Sequence, residues 1–345
     1  MKRTTTSQRA RARVKPRPAL LQNWRLDVKS ILVPLDFSPA SLEALDSALP
    51  LLKTFKADCH LVHVIPPDYP LSSTATLPII VSETEIARRM RGLLNQVAAK
   101  TAVPLEHQSI HVRRGRPFEE ICQLARELKV DLIVTSTHGH TGLKHIALGS
   151  TAERIVQHAD CPVLILRRPK EKKPGRNGGT PGKRSSFHTI LVPIDFSSCS
   201  LRGLDYAKFL AKKFGAKLVL INVVHLIYYV SDSEYTRYDL PQLTQVADRA
   251  ARANIAKLLQ RLTREGFNVE TRVTIGHPGD QICGALREFG ADLLVSSTHG
   301  TTGLSHILLG STAEYIVRHA ECPVLVVPTR VASSRLGNPK DRISN

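Results

Sequence analysis

At 345 residues with 42% hydrophobic side chains, the chain is long enough for two domains of ordinary size, each burying its own core. Its formal net charge of +18 suggests a nucleic-acid partner until the charge is located: residues 1–29 carry 9 basic and 1 acidic residue, 167–188 carry 8 and 1, and 328–345 carry 4 and 1, which together hold the whole surplus. The segments between them cancel, and no apolar run reaches the roughly 18 residues of a spanning helix, so neither a basic folded face nor a membrane span is expected.

Residues 1–27 read as a disordered basic arm, because MKRTTTSQRARARVKPRP has too little apolar surface to offset the entropy of ordering it. The arm lacks the apolar stretch of a secretory signal. Its Arg, Thr and Ser bias would suit an organelle transit peptide, but a plain arm on a cytoplasmic protein is the simpler reading. A first domain over 28–167 opens on Ser30-Ile-Leu-Val-Pro-Leu35, a continuous apolar run of the kind that forms a strand buried on both faces. At Asp36-Phe37-Ser38-Pro39, Ser38 can cap a helix and Pro39 suits its first turn, and that helix is expected to reach about Phe55. Cys59–Ile65 reads as the second strand, 68–82 as an irregular connection, and Ser82 as the cap of a helix to about Lys100. Leu105–Val112 reads as strand three, Gly115-Arg116-Pro117 as a turn and 118–129 as a short helix. Asp131–Thr135 is the expected fourth strand, followed by a glycine-bearing loop, a helix over 150–159 and a fifth strand over Cys161–Leu166. Strands alternating with helices imply an α/β domain with parallel pairing through right-handed crossovers.

Residues 168–187 are dominated by Gly, Pro and basic side chains and read as a flexible linker. A second domain over 188–328 then repeats the whole order, ahead of a disordered tail at 329–345. Residues 136–166 and 297–327 agree at 23 of 31 positions at a constant offset of 161, so the chain is a duplication. The first strand and its Asp195-Phe196-Ser197 turn repeat at an offset of 159, which places the divergence in the irregular, Tyr-rich connection over 225–239.

The duplicated stretch carries the strongest chemical signal. In each copy a β-rich run enters a loop with glycines at 139, 142 and 149, or 300, 303 and 310, and a helix begins at Ser150-Thr151 or Ser311-Thr312. A strand, a glycine loop and a helix N-terminus present backbone N–H groups and a positive helix end to an anion of phosphate size. The competing reading is structural: Ser150-Thr-Ala-Glu153 and Ser311-Thr-Ala-Glu314 are also capping boxes, in which Ser and Glu would satisfy the helix start by themselves. His138 and His299 lie in the same loops and read as turn residues rather than as an acid or base. Six cysteines without a CxxC pair read as buried thiols in a reducing compartment, and the His and Cys spacings fit no zinc site, so no metal ligand is assigned.

V-P-x-D-F-S near the start of each copy, a G-x-P turn before the third helix, and S-T-H-G-x9-G-S-T ahead of C-P-V-L resemble the universal stress protein family, over nearly all of 30–166 and 189–327. The resemblance implies two tandem doubly wound domains, each a five-stranded parallel sheet of order 3-2-1-4-5 with helices on both faces. It places ligands at the switch point between strands one and four. The family's nucleotide-binding pattern, G-x2-G-x9-G-[ST], falls on Ser136, Gly139, Gly149 and Ser150, and on Ser297, Gly300, Gly310 and Ser311, so that Ser replaces the first Gly in both copies. A Cβ there could crowd the phosphates, or the hydroxyl could donate to a phosphate or ribose oxygen. By the same resemblance Asp36 and Asp195 meet the adenosine, Val64 and Val223 its adenine edge, and the N–H groups of Ser150, Thr151, Ser311 and Thr312 the phosphates. Taken alone, the aspartates also read as turn residues and the valines as core.

These signals predict a stress or regulatory protein that binds ATP, with or without Mg²⁺, at each copy. The alternative is a nucleotide-independent interaction protein of the same fold. An enzyme is disfavoured, since none of GxxxxGK[ST], GxGxxG, GxSxG or HExxH occurs and no catalytic residue is assigned, leaving weak ATP hydrolysis at most. The terminal strands Cys161–Leu166 and Cys322–Val327 would be exposed apolar edges, so the copies are expected to pair edge to edge, and the chain to form a homo-oligomer if at all on that unit. The basic tails should add weak, salt-sensitive affinity for polyanions.

Overall fold

The computed structural model describes residues 27–67, 82–101, 103–137, 149–167, 187–225, 240–300 and 309–329. Apart from a terminal residue of each, the expected arm, linker and tail and both irregular connections lie outside the described residues, as do His138, Gly139, Gly142 and Gly303. The first copy runs β1 Ser30–Pro34, α1 Pro39–Phe55, β2 Asp58–Ile65, α2 Glu83–Ala99, β3 Gln108–Arg114, α3 Pro117–Glu127, β4 Leu132–Ser136, α4 Ser150–His158 and β5 Val163–Leu166. The second runs β6 Thr189–Pro193, α5 Ser198–Phe214, β7 Lys217–Val224, α6 Leu240–Arg264, β8 Val269–Ile275, α7 Pro278–Glu288, β9 Leu293–Ser297, α8 Ser311–His319 and β10 Val324–Val327.

Local chemistry explains most of these boundaries. Ser38 and Ser197 cap α1 and α5 by accepting the N–H of Ser41 and Ser200, and Ser82 does the same for α2 at Glu85. The helices α1 and α5 end on left-handed residues, Lys56 at φ 53° and Gly215 at φ 67°. Asp131 and Asp292 tie the starts of neighbouring strands together, Asp131 accepting the N–H of Lys29 and Ser30, and Asp292 those of His188 and Thr189. One expected strand is shorter at its start than the sequence suggests: Leu105–His107 form a 3₁₀ turn after Pro104, and Leu105 is 83% exposed, so β3 begins at Gln108.

Within each copy the pairing is parallel in the order 3-2-1-4-5, and the two sheets join as β3-β2-β1-β4-β5-β10-β9-β6-β7-β8. At the junction β5 and β10 run antiparallel, with Val163 opposite Val326, Leu164 opposite Leu325 and Ile165 opposite Val324. Leu164 and Leu325 are repeat equivalents, so they mark a pseudo-twofold axis, and the two apolar edges cover one another. Helices α1, α2, α5 and α6 bury one face of the continuous sheet, and α3, α4, α7 and α8 bury the other. Across the seam Phe55 stacks on Phe209 at 5.6 Å and meets Phe214 edge-on at 6.0 Å, while on the opposite face Arg318 donates to both oxygens of Glu153 at 3.2 Å.

None of the six cysteines is in a disulfide, and all but Cys199 are buried. Burial pushes the Cys59 and Cys122 thiols up to about 12, which leaves almost no thiolate at neutral pH. Iodoacetamide is therefore expected to label half-buried Cys199 first in the folded chain and to reach Cys59 and Cys122 only on denaturation. Peptide mapping after a brief pulse checks this; early labelling of Cys59 would contradict the packing described.

Candidate functional site

The switch point lies where β1 and β4 pair, Ile31 with Leu132 and Leu32 with Ile133, and the chain leaves both strands at their carboxyl ends. Beyond β1 and β6 the turn Asp-Phe-Ser is tightly specified. Asp36 Oδ1 accepts the Ser38 N–H at 3.0 Å and its hydroxyl at 2.6 Å, and Asp195 Oδ1 accepts the Ser197 N–H at 2.9 Å. The aspartates are thus turn residues with their Oδ1 atoms, while Asp195 Oδ2 lies 2.6 Å from where a Cβ on Gly300 would stand. The first strand's turn and the glycine loop therefore meet in the second copy, and only a residue without a side chain permits that approach. Between aspartate and serine, Phe37 and Phe196 both adopt φ 63°, a left-handed conformation costly for a residue with a Cβ. Sequence reasoning missed this strain; the only available hint was the repetition of Asp-Phe-Ser in both copies.

The helices beyond the glycine loops start differently from the capping-box expectation. Gly149 and Gly310 are the N-cap residues, Ser150 and Ser311 are already the first helical residues, and neither helix has a side-chain cap. The N–H groups of the two N-cap glycines go to the carbonyls of Thr137 and Thr298, at 2.7 and 2.9 Å. Glu153 and Glu314, the would-be box partners, point to the seam, where Arg318 holds both. The correction has a chemical consequence. The first-turn N–H groups at Ser150-Thr151 and Ser311-Thr312 carry no side-chain acceptor from their own helix, and they stand at the positive end of its dipole.

The serines at the first glycine position end β4 and β9 and are half-buried. The Ser297 hydroxyl donates to the His299 carbonyl at 2.7 Å, so it braces its own loop. His299 Nδ1 lies 3.0 Å from the hydroxyls of Thr298 and Thr329, as expected of a loop histidine that hydrogen-bonds its turn. Val64 is buried and Val223 half-buried at the ends of β2 and β7, both in the core beneath the α3 and α7 side. The G-x-P turns complete the rim: Gly115 and Gly276 sit at φ 147° and 144°, their N–H groups bound to Ile65 and Val224. Here the copies diverge. Arg116 and Arg154 of the first copy are replaced by His277 and Tyr315 in the second, where Tyr315 donates to Asp280 and stacks on His319 at 4.1 Å. Of the residues assigned from sequence, the second copy brings Asp195, Ser297, Gly300, Gly310, Ser311 and Thr312 to one end of its sheet, with Val223 beneath. The first copy places Asp36, Val64, Ser136, Gly149, Ser150 and Thr151 correspondingly.

Each copy is thus a doubly wound α/β domain whose helix after the fourth strand starts without a side-chain cap near the switch point, and the chain holds two of them. The profile of the universal stress protein family matches residues 27–167 and 186–328, and the chain belongs to that family. A universal stress protein of Methanocaldococcus jannaschii is 32% identical over 158 residues, 45% of this chain and 91% of the relative, so the match spans about one copy. In three dimensions, a universal stress protein of Archaeoglobus fulgidus superposes with a TM-score of 0.58 at 24% identity, over 88% of this chain and 97% of its own. A Pseudomonas aeruginosa protein of unknown function gives 0.55 at 17% identity, over 87% and 92%. These two likenesses extend the shared fold to the paired arrangement of the copies. Among the described residues, no helix is long and apolar enough to cross a membrane.

Proposed function

We propose that the chain is a nucleotide-binding stress or regulatory protein that takes up ATP at each copy, with Mg²⁺ arriving on the nucleotide and with little or no turnover. The observation that carries the reading is the pair of uncapped helix starts, reached over glycine N-caps and faced in the second copy by the Asp195–Gly300 approach. The donor set fits a nucleotide. Backbone N–H groups at Ser150-Thr151 and Ser311-Thr312 would take phosphate oxygens, and Asp36 and Asp195 would accept ribose hydroxyls. A second reading, an interaction protein that needs no nucleotide, is favoured by one feature: the Ser297 hydroxyl is engaged by the His299 carbonyl, which leaves a Cβ where the family pattern has none.

Calorimetry of the purified full chain with ATP and Mg²⁺ separates the two. Binding heat is expected at or below about 1 mM ATP, a standard free energy of about −4 kcal/mol. Replacing Ser136 and Ser297 with Gly is expected to tighten binding or leave it unchanged, because the lost glycine removes one approach from a cradle of several donors. No heat in either protein at that concentration would move the chain to the nucleotide-independent class.

A further inference from the structure

We infer that His63 and Asn222 are positioning residues, each holding the strained Asp-Phe-Ser turn of its copy and thereby setting where Asp36 and Asp195 present their carboxylates. The inference rests on the nucleotide reading for its functional consequence, though its geometry stands alone.

The carbonyls of Leu35 and Ile194 lie one residue beyond the ends of β1 and β6, on residues only 2% exposed. Their N–H groups still join the neighbouring strand, Leu35 to Val62 and Ile194 to Ile221, both at 2.8 Å. The strand register, however, stops at Pro34 opposite Val62 and at Pro193 opposite Ile221, because the next residues turn away into the left-handed conformation. A side chain takes over. His63 Nδ1 is 2.8 Å from the Leu35 carbonyl oxygen, and since a carbonyl only accepts, Nδ1 is the donor and the tautomer is fixed. In the second copy Asn222 Nδ2 donates to the Ile194 carbonyl at 2.6 Å.

Histidine and asparagine share little except the feature used here. In both, a nitrogen donor is attached to Cγ, at the same reach from the backbone. The duplicated halves have changed the residue and kept the bond, so what each turn requires is a donor at that point. Both side chains are buried, His63 at 6% and Asn222 at 7% exposure, which leaves little freedom to supply it any other way. His63 also packs its ring 4.8 Å from that of Phe37, the left-handed residue itself. A residue held at such a φ needs surroundings that over-determine it. With the carbonyl fixed on one side and the aspartate Oδ1 held by the serine N–H on the other, the carboxylate is oriented, and in the second copy Asp195 Oδ2 comes to lie beside Gly300.

The test uses the full chain with His63→Leu and Asn222→Leu, which keep an apolar filling but no donor, against the exchanges His63→Asn and Asn222→His. Two readouts are taken: amide hydrogen exchange over 35–38 and 194–197 without nucleotide, and ATP titration by calorimetry. Each Leu variant is expected to speed exchange in its own turn only. It is also expected to weaken binding by its own copy roughly 10- to 100-fold, the range seen when a residue that orients a metal ligand is removed, while the other copy is unchanged. Each exchange variant is expected to restore both readouts. Unaltered exchange in the Leu variants, or failure of the His/Asn exchanges to restore it, overturns the inference. If the unmodified chain takes up no ATP, faster exchange in the Leu variants still upholds the positioning role and retires only the nucleotide reading.

Discussion

Replacing Leu164 and Leu325 together with aspartate is expected to open the ten-stranded sheet at its centre. The two leucines are 3% and 5% exposed and stand directly opposite one another in the antiparallel pairing of β5 and β10. Directly opposed residues in such a pair have Cβ atoms about 5 Å apart. Two carboxylates there would repel while both are desolvated among Leu132, Phe187, Phe209 and Leu210. Truncating a single core leucine costs about 2–5 kcal/mol, and the double charge substitution should exceed that. Each half keeps its own parallel sheet and two flanking helix layers, so the expected result is separation rather than unfolding. Seam-facing amides of β5 and β10 should lose protection from hydrogen exchange, the scattering radius should grow, and melting should resolve into two transitions. Leu164→Asp with Leu325→Lys should recover part of the loss by opposing charge. A double-aspartate variant that melts and scatters like the unmodified chain would mean that the seam contributes little.

The sequence made this seam legible because its edge strands are short, wholly apolar and terminal in the inferred strand order, a combination that is unstable in water. Runs such as Ile31–Leu35 and its repeat Ile190–Ile194 were equally clear, since burial on both faces leaves an unbroken apolar string. The misreadings share a physical cause: short polar patterns are compatible with several local structures, and tertiary contacts choose among them. Ser150-Thr-Ala-Glu153 satisfies the capping-box pattern, yet Gly149 holds the cap position because its N–H reaches back to Thr137, and Glu153 is drawn to Arg318 across the seam. Leu105 looked like the start of a strand, but Pro104 sets a turn and leaves the leucine in solvent. The left-handed Phe37 and Phe196 were invisible, as no residue type announces strain that the surrounding packing imposes. His63 and Asn222 were hidden for a related reason, since the shared role survives a change of residue and appears only when the bonds are compared.

Replacing Gly149 and Gly310 with valine is expected to remove ATP binding while leaving the fold nearly unchanged. The backbone at these N-caps sits at φ −60° with ψ 137° and 145°, an extended conformation that valine adopts without strain, so glycine is not there to make a turn. Nor is a cap lost, because neither helix has a side-chain cap to begin with. What a side chain changes is approach. A Cβ on Gly310 would stand 3.3 Å from the Thr298 carbonyl and 3.7 Å from the His299 Cα, and the valine methyls beyond it would spread over the loop side of the helix start. Backbone donors can reach a phosphate only if nothing covers them, and the loss of several such contacts should exceed about 2 kcal/mol, or roughly 30-fold in affinity. The thermal midpoint, by contrast, should move by no more than the shift that about 1 kcal/mol produces in a domain of this size, on the order of 2–4 °C. Gly300→Ala provides an independent check in the second copy. Its Cβ would meet Asp195 Oδ2 at 2.6 Å, closer than real contacts allow, so the carboxylate must turn aside and that copy alone should weaken. If ATP still binds both copies of the valine variant with undiminished heat, the helix starts are not where the phosphates lie, and the site must be sought elsewhere on the sheet.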